Sequence, residues 1–260
     1  MVIVQYRTRG FLRGGVGDEM PIQAFANRGY FVLVLDIGDT ATIVGSQKSY
    51  FEQQTASYRD LLVVKHALSA AETMTQSLID RGWVEPRQVG ISGLSAGSRI
   101  VQFAAINSSM FSSGSVGSCC EEPDQDALLG PSIAENYRKH GFPSLVDSAG
   151  EFWRQISIMG QPTRVKFPLL VQAADREYLA SLGAITAMSQ AGVPADLFVF
   201  PDEYHLKWHP AHRLAVYNRN LAWFDFWLKG KVPADAVGSA EATRWQAMHD
   251  AWRPEASRPR

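Results

Sequence analysis

Short runs of apolar, largely β-branched residues recur along the chain at 2–6, 31–36, 88–92, 114–116, 168–173 and 196–200. None alternates strictly between apolar and polar. They are apolar on both faces, as strands buried between two layers of helices must be. Between them the period changes. Apolar residues fall three and four apart over 20–27, 57–81, 96–106, 178–191 and 212–228, which predicts amphipathic helices. The longest stretch places Leu61, Leu62, Val64, Ala67, Leu68, Ala71, Met74 and Leu78 on one stripe, and Gly82 and Pro86 end it. The alternation of strand and helix implies an α/β fold: a doubly wound, mostly parallel sheet with helices on both faces and ligands beyond the carboxyl ends of its strands. Residues 108–150 are rich in Ser, Gly and Pro and are expected to form an irregular excursion over that edge. Beyond Gly230 the chain turns polar. A main domain over 1–232 and a C-terminal helix with a polar tail over 233–260 are the expected divisions.

The stretch at 89–100 reads VGISGLSAGSRI. Its Gly93-Leu94-Ser95-Ala96-Gly97 is a G-x-S-x-G pattern between a strand and a helix, the form of a nucleophile elbow. A serine on so sharp a turn has strained backbone angles, and a Cβ two residues to either side would strike the adjoining strand or helix. The alternative is a glycine-flanked turn serine without chemistry. A serine hydroxyl becomes a competent nucleophile only beside a histidine base, itself oriented by a carboxylate. In α/β-hydrolases these follow in the order Ser, acid, His, each just after a strand. Asp175 follows the strand at 168–173 and His205 follows the one at 196–200, which makes Ser95, Asp175 and His205 the expected triad. Asp175 is equally suited to capping the helix that begins near Tyr178. Glu177 is a second carboxylate nearby, less naturally aimed from the strand end, and Asp202 and Glu203 read as solvated loop charges.

Tyr6 ends the first strand. Its hydroxyl either joins the backbone N–H of Ala96 in holding an oxyanion or packs beneath the following loop. A rival reading takes Gly15-Val16-Gly17-Asp18-Glu19-Met20, with Asp36, as a dinucleotide-binding turn. The third glycine is missing, and two carboxylates at the helix start would repel a pyrophosphate. His205, His209 and His212 have a spacing faintly like that of metal ligands, but Pro210 interrupts the helix they would need and no cysteine or acidic cluster completes a set. Neither cofactor nor metal is expected.

Composition adds exclusions. With Lys+Arg 25 against Asp+Glu 26 the formal charge is −1, which offers nothing to nucleic acid or a membrane surface. Arg7, Arg9 and Arg13 read as solvated surface cations. No apolar run approaches the roughly 20 residues that cross a bilayer. The two cysteines, Cys119 and Cys120, are neighbours, so no disulfide framework is expected. No leader opens the chain, which favours a cytoplasmic setting. The chain also begins directly inside a core strand, as a piece of something longer would.

With Tyr6, Gly93–Gly97, Asp175 and His205 in place, the chain resembles the catalytic domain of the prolyl-oligopeptidase family of serine peptidases over nearly all of 1–229. The stretches QYRTRGFLRGG (5–15), GDEMPIQAFANRGYFVLVLD (17–36) and FPDEYHLKWHPAHRLAVYNRNLAWFDFWL (200–228) look more specifically like lasso-peptide isopeptidases. The resemblance implies an α/β-hydrolase fold and hydrolysis of a peptide or isopeptide bond. It also favours the oxyanion role for Tyr6. Members of the family carry a β-propeller ahead of this domain that limits which peptides reach the serine. That propeller is absent here and is an expected missing partner. A small-ester hydrolase of the same fold and a silent, partner-binding remnant are the alternatives.

Overall fold

The computed structural model describes residues 1–12, 19–38, 40–125, 128, 130–147, 150–232 and 239–252. Among these, six parallel strands form one sheet: β1 (Val2–Tyr6), β2 (Val32–Asp36), β3 (Gly90–Gly93), β4 (Ser113–Val116), β5 (Leu169–Ala174) and β6 (Ala195–Phe200). The helices are α1 (Ile22–Asn27), α2 (Thr40–Val44), α3 (Tyr50–Arg59), α4 (Leu62–Asp80), α5 (Ala96–Asn107), α6 (Pro131–Lys139), α7 (Glu151–Ile156), α8 (Leu179–Gln190), α9 (Pro210–Lys229) and α10 (Ser239–Ala251). None is long and apolar enough to cross a membrane.

Strand alternation divides the core. Ile3, Ile91, Leu169 and Val171 point into one cluster with α4, α5 and α8, whereas Val2 and Leu170 point into the other with Phe25 of α1 and Trp223 and Phe224 of α9. The strand order is β2-β1-β3-β4-β5-β6. The chain winds outward from β1 to β2, then returns to lay β3 on the other side of β1. That reversal opens a crevice at the carboxyl ends of β1 and β3, the place where open α/β sheets bind their ligands.

Two expectations need correction. The helix expected over 57–81 is two helices, because Leu61 stands in the left-handed region at φ 52°. A capping box made by Ser49 and Glu52 starts α3 upstream of the apolar stripe. The excursion at 108–150 contains the helix α6, opened by Pro131 in its first turn. Cys119 and Cys120 are joined to each other by a disulfide across a cis peptide. The bond closes no loop between distant segments, so it supplies no framework.

Candidate active site

Ser95 sits between β3 and α5 with φ 60° and ψ −128°, a conformation that side-chain-bearing residues adopt only where their surroundings enforce it. The enforcing geometry lies in the two glycines. A Cβ on Gly93 would fall 2.4 Å from the Gly97 carbonyl oxygen, and one on Gly97 would fall 2.9 Å from Cβ of Tyr6. Gln5, buried beneath the turn, donates its amide to Ser92 O (3.1 Å) and Gly97 O (2.8 Å), stitching the end of β1 to the elbow. Tyr6 follows at φ 111°. Ala96 is the first residue of α5, where backbone N–H groups have no partner within the helix and the helix dipole is positive. Sequence reasoning passed over Gln5; a polar residue in an otherwise apolar core strand was the available signal.

His205 lies on the loop between β6 and α9. Its Nδ1 is 2.8 Å from Oε1 of Glu177. The expected pairing with Asp175 is not formed. Asp175 is the first residue past β5; its N–H donates to Phe200 O at 3.0 Å, and its Oδ2 accepts the N–H of Asp202 at 2.6 Å. The turn after β5 then carries the chain forward so that Glu177, two residues on and one methylene longer, reaches the imidazole. The hydrogen bond to Glu177, opposed by burial, raises the pKa of His205 above its ordinary value.

The loop bearing His205 is held from below. Glu203, expected to be solvated, is buried and accepts the N–H of Trp208 (2.6 Å) and His209 (2.9 Å) together with Nδ1 of His209 and of His212, both at 2.8 Å. Burial pushes its pKa up, but these donors outweigh it and hold the carboxyl at about 2. Glu203, His209 and His212 are near enough together to hold a metal ion. In this arrangement both imidazoles and two backbone N–H groups just ahead of α9 already occupy the carboxylate. Lys207, unremarked in the sequence, and Glu19, read there only as a charge at the start of a helix, form an ion pair with no exposed side-chain surface on either partner.

A cavity of about 490 Å³ opens at the crevice and is lined by Tyr6, Ser95, Ala96, Glu177 and His205, with Arg99 deeper in. Arg99 is paired with Glu121 and lies 5.0 Å over the Tyr58 ring. Cys119 and Cys120 form part of the wall, fastened to the start of α8 by Ser181 Oγ donating to Cys119 O (2.6 Å). The predicted Ser95, Tyr6, Ala96 and His205 therefore share one cavity, and Glu177 takes the place expected for Asp175. Arg13 and most of the glycine-rich turn at 15–20 fall outside the described residues. Asp36 turns its Oδ1 back to the N–H of Gly38 (2.9 Å).

This site sits in a sequence with known relatives. Residues 19–231 match the Prolyl oligopeptidase family. The chain belongs to that family. Within the prolyl oligopeptidase family it is similar to the lasso peptide isopeptidase AtxE2 of Asticcacaulis excentricus, with 38% identity over 249 residues, which is 95% of this chain and 36% of the relative. The chain thus spans about a third of that relative's length. The solved apo structure of AtxE2 superposes with a TM-score of 0.88 at 37% identity, covering 96% of this chain and 38% of the other. An AtxE2 variant with Astexin3-dC4 bound matches equally well. The acylaminoacyl peptidase of Pyrococcus horikoshii shares the fold, with a TM-score of 0.67 at 18% identity over 90% of this chain and 38% of the other.

Proposed function

We propose that this domain is a serine peptidase that hydrolyses peptide or isopeptide bonds, with Ser95 as nucleophile, His205 as base and Glu177 as the acid that orients it. The observation that carries this reading is the His205–Glu177 contact of 2.8 Å, made on the wall of the cavity that holds a serine at φ 60°. With its Nδ1–H donated in a hydrogen bond to the Glu177 carboxylate, the neutral imidazole keeps the Nε2 lone pair for the hydroxyl of Ser95. Ser95 Oγ adds to the carbonyl carbon as its proton passes to His205. The tetrahedral oxyanion is met by the Tyr6 hydroxyl and the Ala96 N–H. Collapse breaks the C–N bond, and the amine leaves with the proton held by His205. Water then repeats the sequence on the acyl-serine, releasing a carboxylate and restoring the hydroxyl. No metal or cofactor takes part in these steps.

Similarity to AtxE2, whose solved complex holds Astexin3-dC4, supports a lasso peptide as the substrate. A β-propeller, expected from the family resemblance, is the proposed partner that selects among peptides. A fluorophosphonate probe should label Ser95, and Ser95→Ala should abolish labelling and turnover together. Tyr6→Phe should lower turnover roughly 10²–10³-fold, the scale of one lost oxyanion donor. An unlabelled Ser95 would mean a silent remnant of the fold, and hydrolysis of p-nitrophenyl acetate with no cleavage of any amide would mean an esterase.

A further inference from the structure

Lys207 is fully buried two residues beyond His205, an expensive place for an ammonium group. Its Nζ donates to Gly117 O at 3.0 Å and lies 3.6 Å from Oε2 of Glu19, while its backbone N–H donates to Oε1 of Glu19 at 2.8 Å. Gly117 in turn donates its N–H to the carbonyl of Gly93 at 2.9 Å. A continuous path of hydrogen bonds therefore runs from the His205 loop, across the end of β4, to the first glycine of the elbow. Glu19 brings in a third segment, the one that leads from β1 to α1. From the other side, Arg213 Nε holds the Lys207 carbonyl at 2.7 Å. Buried ion pairs contribute little net stability, because desolvation cancels most of the attraction, and apolar replacements of the same volume often fold as well or better. Retention of a full charge pair at the meeting point of three active-site segments calls for a reason other than stability.

We propose that Glu19 and Lys207 are a positioning pair, a buried clasp that fixes the His205 loop against the elbow and sets the charge surrounding the imidazole as it takes the proton of Ser95. This rests on the serine-hydrolase reading of the site. The groups facing His205 are Glu177 from the turn after β5, Lys207 from its own loop, Glu19 from the segment after β1, and Tyr6 and Arg7 across the cavity. Arg176 is drawn off over the Tyr204 ring at 5.4 Å, and Glu203 is occupied by its own donors. Of the clasp, Lys207 opposes protonation of His205 and Glu19 favours it.

The test is the pH dependence of fluorophosphonate labelling of Ser95 in the unmodified protein, Lys207→Met and Glu19→Gln, with the melting temperature of each recorded. Lys207→Met should move the acid limb to higher pH and Glu19→Gln to lower pH. At pH 6 the two should label about threefold slower and about threefold faster, each relative to its own plateau. Three coincident limbs, with plateau rates falling only as far as melting temperature falls, would reduce the clasp to scaffold. Should Lys207→Met fail to fold, Glu19→Gln decides alone, and an unmoved limb overturns the proposal. An unlabelled parent protein would instead overturn the serine-hydrolase reading.

Discussion

Whether Asp175 or Glu177 orients the base is decided by how the turn after β5 is built. Asp175 is spent on a backbone N–H, that of Asp202, whose own φ of 53° needs support. Replacing Asp175 by Asn keeps an acceptor there, so turnover should fall less than about tenfold. Glu177→Gln should cost roughly 10²–10⁴, as removal of an orienting carboxylate does elsewhere; steady-state rates on one peptide substrate separate the two. Because Glu177 raises the pKa of His205, activity should be lost on acidification while an ordinary imidazole would still be neutral, and Glu177→Gln should carry that limb to lower pH. The elbow serine and the histidine that shares its cavity were legible in the sequence, since an elbow tolerates few residue types at Gly93, Ser95 and Gly97, and a histidine after the last strand has few competitors. The carboxylate that meets His205 was not. Two carboxylates separated by one residue differ only in where a turn puts them, and no periodicity records that.

Elements were legible in proportion to their burial. Every expected strand forms to within two residues at either end, because parallel strands buried on both faces leave an unbroken apolar mark. The break at Leu61 left none: α3 and α4 both carry apolar positions into one cluster, so the spacing runs through the join without a Gly or Pro to announce it. The link from β4 to α7 was equally hidden, since it depends on one acid. Glu122, almost wholly buried, accepts Ser157 Oγ at 2.5 Å and the N–H of Ile158 at 2.8 Å. Burial raises its pKa, these hydrogen bonds oppose it only in part, and the carboxyl rests at about 7. A raised acid favours folding while protonated, so its contribution is complete below its unfolded pKa and disappears as pH climbs through about 7. From pH 8 to pH 5 the unfolding free energy, measured by urea titration, should change by roughly 2–3 kcal/mol more in the stabilising direction in the parent than in Glu122→Gln.

At the scale of the whole molecule, the sheet faces are closed by different means. One is covered by α4, α5 and α8; the other depends on α9 and on α10 lying against it. Trp245 of α10 has no exposed surface, meets the Trp223 ring at 5.0 Å edge-on, and donates its Nε1 to Asp196 of β6 at 2.6 Å. Arg244 doubles the hold on Asp196. Trp245→Ala should therefore cost about 3–5 kcal/mol of stability. Urea midpoints would register the loss, while Ser95 labelling below the transition should persist, because none of these contacts reaches the cavity. A small effect on the midpoint would mean that α10 contributes little to the fold.

The amide of Gln5 has one more consequence. Since it fastens Tyr6 to the elbow, the surface that attacks a carbonyl and the surface that cradles the resulting anion behave as a single rigid jaw. The imidazole arrives on a different loop, the one between β6 and α9. A substitution at Gln5 that frees Gly97 would therefore disturb both surfaces together, while the contact of His205 with Glu177 stays in place.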